Sequence, residues 1–231
     1  MPSFKTENAL LLSVKPLGER TWLLSVLTSE NGRFCGVLKA KQAPHIGSFV
    51  SIRWQARLND QLGTFYLDEI KAFFIDFLDD KVRLYILSSI CALLAELLPE
   101  RQIEYDLYEQ TVRLLKNMMQ PDVLVQYAKW EVELLRAIGF GLDFSDCAGG
   151  GDKNNLAYVS PRSGRAVSRE KGLPYQDKLL PLPRFLWQKS NKIDNMELLQ
   201  AFSLTTYFLT THTGLKQLPV IREQLIQTLL K

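Results

Sequence analysis

The hydrophobic period of the sequence changes near residue 74, and this change divides the chain into two parts of different architecture. Before it, β-prone runs alternate with turn signals at residues 9–14, 21–28, 33–39, 48–58 and 63–70. Asn31 and Gly32 are typical of a hairpin turn between the second and third runs, because both tolerate positive φ. Five short strands are enough to close a small barrel, and strand counting fits an OB fold and an SH3-like barrel almost equally well.

Apolar residues recur at helical intervals after residue 74. A first helix is predicted between Asp80, which suits a helix N-cap, and Pro99, which ends it, and a second at residues 104–119. A third begins at Asp122 and stops at Gly139. Further helices are predicted at residues 183–189, 196–211 and 219–230. The pattern therefore predicts an α+β chain with a barrel at residues 1–78 and a helical domain at residues 79–231.

An insert at about residues 141–177 interrupts the helical pattern and contains a predicted basic hairpin. Its sequence, YVSPRSGRAVSRE, places serine, proline and glycine turn formers between short β-prone runs at residues 156–159 and 166–168. Arginines project from both sides of that turn. The helical domain is therefore expected to carry a small, strongly cationic β-structure.

Charge is distributed unevenly along the chain. Residues 1–78 carry a net charge of +2 and residues 79–146 a net charge of −5, whereas residues 153–192 contain nine Lys or Arg against two Asp or Glu. Such segregation indicates a polyanionic partner at one surface. An uneven but merely solvated face explains the charge pattern equally well.

Composition excludes several classes of protein. The three cysteines are odd in number and far apart, so they form neither a disulfide framework nor a CxxC pair, which fits a reducing cytoplasm. The N-terminus has no signal-peptide pattern. The most apolar segment, residues 82–98, is short and contains Arg83 and Glu96, so it is predicted to be a buried helix and not a membrane span.

Catalytic patterns are weak throughout the sequence. His45 and His212 lie in different predicted domains without a neighbouring cluster of metal ligands, and Cys147 has no adjacent histidine to activate it. A nuclease or phosphotransferase would need a carboxylate cluster to hold a metal ion, and no spacing of Asp and Glu demands one. The sequence therefore predicts a protein that is not an enzyme, with no catalytic residue and no cofactor.

Several blocks, in a consistent order, resemble the bacterial recombination-mediator family RecO. They are LLSVKPLGER (11–20), LTSENGRFCGVLK (27–39), WQARLNDQLGTF (54–65), WEVELLRAIGFGLDFSDCA (130–148), the hairpin sequence, LLPLPRFL (179–186) and LPVIREQL (218–225). The hairpin resembles the branch of the family in which YVSPxSGRAVSR replaces a zinc knuckle. One departure is the loop at residues 39–47, which carries two lysines where the family is usually long and arginine-rich.

The resemblance implies an OB-fold barrel followed by a helical bundle with a small β-hairpin insert. It also implies a non-enzymatic mediator of DNA repair, cytoplasmic and associated with the nucleoid, that binds single- and double-stranded DNA and anneals complementary strands. With RecR, such a protein helps to load RecA onto strands coated by single-stranded DNA-binding protein, whose acidic, apolar C-terminal tail it binds. The alternative is a protein-recruitment module with an OB-like barrel that does not touch nucleic acid.

The resemblance also bears on a metal site. Zinc-bearing relatives hold the metal with two CxxC pairs, because four thiolates close a tetrahedral structural site. Here Cys147 stands alone, and the partner positions correspond to Gly150, Ser168 and Lys171, which supply no thiolate. No metal is therefore expected.

Candidate binding residues follow from charge and from the resemblance. The barrel candidates for DNA are Arg20, Arg33, Lys39, Lys41, Arg53 and Arg57, with Trp22, Phe34, Trp54 and Phe65 as possible base-stacking rings. The hairpin candidates for DNA are Arg162, Arg165, Arg169 and Lys171. Lys129, Trp130 and Arg136 on the third helix are the candidates for binding the tail of single-stranded DNA-binding protein.

Overall fold

In the computed structural model, which describes residues 2–58, 61–190, 192–215 and 217–230, five strands close a barrel. They are β1 (Ser3–Gly18), β2 (Thr21–Thr28), β3 (Gly32–Lys39), β4 (Phe49–Gln55) and β5 (Gly63–Lys71). Their order around the barrel is β1-β2-β3-β5-β4, closed by the pairing of β1 with β4. The β3–β5 pair is parallel and the other neighbouring pairs are antiparallel. This order is the OB topology, so the predicted fold class is confirmed and the SH3-like alternative is set aside.

Strand β1 is much longer than the run predicted at residues 9–14. Its first residues pair with β4 and its last residues pair with β2, with an irregularity between Thr6 and Ala9. The polar run at residues 5–8 has weak intrinsic β propensity. This run is extended because β4 supplies its hydrogen-bonding partners. Those partners are distant in sequence, so the local pattern could not predict the strand.

The 98–102 segment, which follows the first helix, covers one end of the barrel. The Nε atom of Arg33 donates a 2.7 Å hydrogen bond to the carbonyl oxygen of Leu98. The Arg101 guanidinium lies 5.3 Å from the ring centroid of Phe34 and 5.7 Å from that of Trp54. Both rings belong to the buried barrel core, so this segment closes the core at that end.

The helices of the described residues follow the predicted order, with changes at their ends. They are α1 (Lys81–Leu97), α2 (Tyr105–Lys116), α3 (Val123–Ala137), α4 (Arg169–Gly172), α5 (Asn195–His212) and α6 (Val220–Thr228). Short 3-10 helices occupy Phe73–Phe77, Lys153–Asn155, Leu173–Lys178 and Arg184–Leu186. Where a helix was predicted at residues 183–189, the structure has only the 3-10 turn Arg184–Leu186. Pro183, just before this turn, has an extended backbone, and no side chain caps the start of the turn. None of the helices within the described ranges is long and apolar enough to cross a membrane.

The insert and the residues just after it form a small sheet in the order β7-β6-β8, from β6 (Leu156–Val159), β7 (Ala166–Ser168) and β8 (Leu180–Pro181). The β6–β7 pair is the predicted hairpin with the predicted bounds, whereas β8 adds a strand that the sequence did not indicate. By internal contacts the chain divides into two compact units, Met1–Leu115 and Lys116–Lys231. The domain boundary predicted at residue 78 lies within the first of these units, and it stays a prediction.

A buried ion pair lies within the second unit, between α3 and α6. Arg222 and Glu131 are 1% and 0% exposed, and their side chains form hydrogen bonds of 2.7 and 2.8 Å. The Thr205 hydroxyl on α5 donates a further 2.5 Å hydrogen bond to the Glu131 carboxylate. These polar groups therefore connect three helices inside an otherwise apolar core.

Candidate nucleic-acid interface

Three of the predicted barrel cations lie at one end of the barrel. Thr21 pairs with Lys39, and the amide of Ala40 donates a 3.0 Å hydrogen bond to the carbonyl oxygen of Arg20, so the β1–β2 turn lies beside the loop that follows β3. The side chains of Arg20, Lys39 and Lys41 are exposed there. Arg20 is a non-glycine residue with φ of 55°, a conformation that glycine adopts more readily. Backbone pairing thus brings together cations that are up to 21 residues apart in sequence.

Arg53 and Arg57 lie on β4 and just beyond its end. Arg53 is exposed on β4, and its Nη2 atom lies 3.4 Å from an Asp68 carboxylate oxygen. Exposed ion pairs of this kind contribute only about 0–1 kcal/mol, so a phosphate can compete for the guanidinium. Arg57 is exposed just beyond the end of β4. Both side chains are accessible to a polyanion.

Arg33 is placed differently from the other barrel candidates. Its side chain is only 15% exposed, and it donates hydrogen bonds to Leu98 and the Ser25 hydroxyl and pairs with Glu100 at 3.6 Å. These partners belong to the barrel and to the segment that covers its end. A phosphate would have to displace them, so Arg33 contributes mainly to the fold in this structure.

The aromatic rings considered as stacking platforms lie mostly in the barrel core. Phe34, Trp54 and Phe65 are buried and Trp22 is partly buried. Tyr66, which sequence reasoning did not select, is 46% exposed. The sequence held part of this signal, because adjacent residues of a strand face opposite sides, so one of Phe65 and Tyr66 must face outward, although alternation does not say which.

The basic hairpin is held in shape by its own backbone. The Ser160 amide donates to the Arg165 carbonyl at 2.9 Å, and the Gly164 amide donates to the Ser160 carbonyl at 2.9 Å. Gly164 has φ of 68°, which a side chain would strain. The predicted side chains on this hairpin and the adjoining helix α4 are all exposed: Arg162, Arg165, Arg169 and Lys171. The compact turn and the short helix α4 therefore present these four cations to solvent.

Asp143 supports the hairpin from the side. Its backbone exchanges hydrogen bonds of 3.0 and 2.8 Å with Gly164 and Ala166. The Ser145 hydroxyl and amide, and then the Arg165 guanidinium, hold the pKa of the Asp143 carboxyl below its ordinary value. Arg165 Nε lies 3.5 Å from this carboxylate, but both side chains are nearly half exposed, so the pair is weak and leaves Arg165 accessible.

At the other end of the insert, the sulfur of Cys147 accepts backbone hydrogen bonds. Its sulfur accepts a 3.2 Å hydrogen bond from the backbone amide of Ser168. The side-chain hydroxyl of Ser168 in turn accepts a hydrogen bond from the backbone amide of Lys171. Burial alone raises the pKa of the Cys147 thiol, but backbone amides of Ser168, Gly151 and Gly149 outweigh it and lower the pKa overall. The insert is therefore held around this sulfur by backbone hydrogen bonds and packing.

Among the residues with described positions, no three His, Cys, Asp or Glu side chains lie close enough to share a metal ion. His212 stacks on Phe140 and Phe208 at 5.4 and 5.5 Å between ring centroids, as a packed aromatic residue would. Burial raises the pKa of the Cys91 thiol to about 12, so it is protonated at neutral pH.

The predicted tail-binding residues of α3 separate into two kinds. Lys129 and Arg136 are exposed and seven residues apart, which places them on one face of the helix about 10 Å apart. Trp130 is 3% exposed, and its ring stacks on Tyr127 at 5.8 Å. A bound peptide would therefore meet the two cations directly, but it would not reach the Trp130 ring without rearrangement of the core.

Comparisons with known proteins identify relatives over nearly the whole chain. A family model described as "Recombination protein O C terminal" matches residues 78–220. A DNA repair protein RecO from Rhodospirillum centenum is 42% identical over 216 residues, covering 90% of this chain and 86% of the relative. Those from Rickettsia bellii and Rhodospirillum rubrum are 38% and 36% identical, covering 86% and 97% of this chain and 85% and 95% of the relatives.

Proposed function

The chain belongs to the RecO family of DNA repair proteins, and we propose that it acts as a recombination mediator that binds DNA without cleaving it. In this role it binds single- and double-stranded DNA and anneals complementary strands. Together with RecR it assists the loading of RecA onto single strands coated by single-stranded DNA-binding protein. The observation that carries the proposal is the basic hairpin, whose arginines are exposed on a turn fixed by backbone hydrogen bonds.

The chemistry of these side chains suits a mediator. Guanidinium and ammonium groups bind phosphates through charge and hydrogen bonds that do not depend on base sequence. Such binding releases counterions and weakens steeply as salt rises. A protein that must let strands exchange needs this kind of attachment, because a grip on particular bases would hold one strand in place. The exposed cations of the barrel and of the insert both fit this requirement.

The proposal is tested by fluorescence anisotropy with labelled single-stranded and duplex oligonucleotides over a series of salt concentrations. We expect tight binding to both, a linear fall of log K with log salt, and no product when magnesium is added. Absence of binding at low salt would favour the protein-recruitment alternative. Cleavage or another magnesium-dependent product would favour an enzyme.

The contribution of the hairpin is measured by replacing Arg162, Arg165 and Arg169 with glutamine. Each lost phosphate contact lowers the salt slope on single strands by about 0.7, so three lost contacts lower it by about 2. The matched control replaces the exposed lysines Lys15, Lys81 and Lys116 with glutamine, which changes net charge equally. Equal slopes for the two triple variants would show that the hairpin is not a specific contact surface. Annealing of complementary strands by the same variants then tests whether the hairpin contacts serve the mediator reaction.

A further inference from the structure

A row of aligned side chains crosses three strands on the outer face of the barrel. Arg53 on β4 pairs directly with Tyr66 on β5, and Lys5 on β1 pairs directly with Arg53. Residues that pair directly across strands project from the same side of a sheet. All three side chains are exposed, whereas their sequence neighbours Trp54 and Phe65 are buried in the core. Lys5, Arg53 and Tyr66 therefore form a continuous outward row.

Two members of the row, Arg53 and Tyr66, line a groove of about 860 Å³ between β5 and the loop that follows β3. The pairing of β3 with β5 ends at Leu38 and Phe65, immediately before Lys39 and Tyr66. Lys39 lines the groove together with Arg53 and Tyr66. The exposed tyrosine thus has cations on the strands to either side of it.

The Tyr66 ring is partly ordered by its neighbours. The Arg53 guanidinium lies 5.4 Å from the ring centroid, within the range of a cation–π contact. Acidic groups also line the groove: Asp68 pairs with Arg53 at 3.4 Å, and Glu69 pairs with Lys71 at 3.6 Å. These ion pairs are exposed and weak, so they neither bury nor permanently neutralise the cations.

We propose that Tyr66 is a stacking platform for an unpaired base of a single nucleic-acid strand, and that Lys5, Lys39 and Arg53 bind the phosphates on either side of that base. Single strands are bound in this way by aromatic rings beside a cationic track, because an unstacked base has a free face. A duplex keeps its bases stacked on one another and has no such face to offer. The inference rests on the proposed function and deepens it, since it assigns this groove to single strands in preference to duplex DNA.

The test compares Tyr66→Ala and Tyr66→Phe by anisotropy with a single strand and a duplex of equal length. One lost stacking contact weakens single-strand binding about 5- to 150-fold. Tyr66→Phe keeps the ring and should bind as the unaltered chain does, and duplex binding should change less than about twofold in both variants. Tyr105→Ala, which removes an exposed tyrosine on α2, is the matched control and should leave both affinities unchanged. A single strand carrying 2-aminopurine should show fluorescence quenching that Tyr66→Ala abolishes.

Two results would overturn the inference. Tyr66→Ala could bind single strands as tightly as the unaltered chain, or it could weaken single-strand and duplex binding equally, which would indicate that Tyr66 only positions Arg53. In either case the proposed function survives if the glutamine variant of the hairpin still lowers affinity. Failure of the unaltered chain to bind any DNA would reject the function itself. Circular dichroism of Tyr66→Ala checks that the barrel is folded.

Discussion

Replacement of Glu131 by alanine is expected to destabilise the second unit strongly. Glu131 holds Arg222 through hydrogen bonds of 2.7 and 2.8 Å, and both side chains are essentially inaccessible to water. Burial alone lowers the pKa of Arg222, but the carboxylate outweighs it and raises the pKa overall, so the guanidinium stays charged. Without the carboxylate, its acceptors include only neutral groups, among them the Thr206 hydroxyl at 2.8 Å, the Thr205 hydroxyl at 3.0 Å and the Phe202 carbonyl at 3.4 Å. A buried charge left in this way costs about 3–5 kcal/mol.

Urea denaturation measures the loss in the free energy of unfolding. Hydrogen exchange of peptides from α3, α5 and α6 then shows whether the loss is confined to these helices. The double variant Glu131→Leu with Arg222→Met should recover most of the lost stability, because apolar side chains remove both desolvated charges. Glu133→Ala is the matched control on the same helix, since Glu133 pairs with Arg136 at the surface, and it should cost less than about 1 kcal/mol. A cost below about 1 kcal/mol for Glu131→Ala, or a double variant no more stable than the single one, would refute the reasoning.

The other predictions concern a helix cap and a binding surface. Burial raises the pKa of Asp80, but the amide and guanidinium of Arg83 outweigh it and lower the pKa below its ordinary value. The ionised carboxylate therefore stabilises the fold at neutral pH, and this stabilisation is lost as pH falls through the pKa of the folded state. Asp80→Asn should therefore lower urea stability by roughly 0.3–1 kcal/mol at neutral pH, a difference that disappears in acid; a difference that persists there would contradict the assignment. The double variant Lys129→Glu with Arg136→Glu should weaken binding of an acidic, apolar peptide about 5- to 30-fold in anisotropy. The control Lys116→Glu should leave this affinity unchanged. An equal loss of affinity in the double variant and the control would exclude α3 as the tail-binding surface.

The local sequence correctly predicted the ends of a strand where turn-forming residues stand on both sides of that strand. Strand β2 and the two hairpin strands β6 and β7 have the bounds that the sequence predicts. The start of β1 and the short strand β8 were missed because their partners come from distant parts of the chain. Pairing with β4 keeps a polar run extended that has little β propensity of its own.

Charge was a good guide to exposure but a poor guide to role. Most of the selected arginines and lysines are exposed, as their side chains favour. Arg33 differs because its partner Leu98 is 65 residues away in sequence, so no local pattern reveals their hydrogen bond. Trp130 and Tyr66 show the same limit for aromatic residues: a periodic pattern gives the spacing of a face, and only the packed structure tells which face is inside.

The residues that cover the end of the barrel are encoded after its last strand. Synthesis from the end of β5 at Lys71 to residue 102 takes about 2–6 s at roughly 5–20 residues per second. During that interval the nascent barrel has all its strands but lacks Arg101 over Phe34 and Trp54. On the ribosome, completion of the sheet and closure of its interior are therefore separate events, and a translational pause between them would leave aromatic rings uncovered.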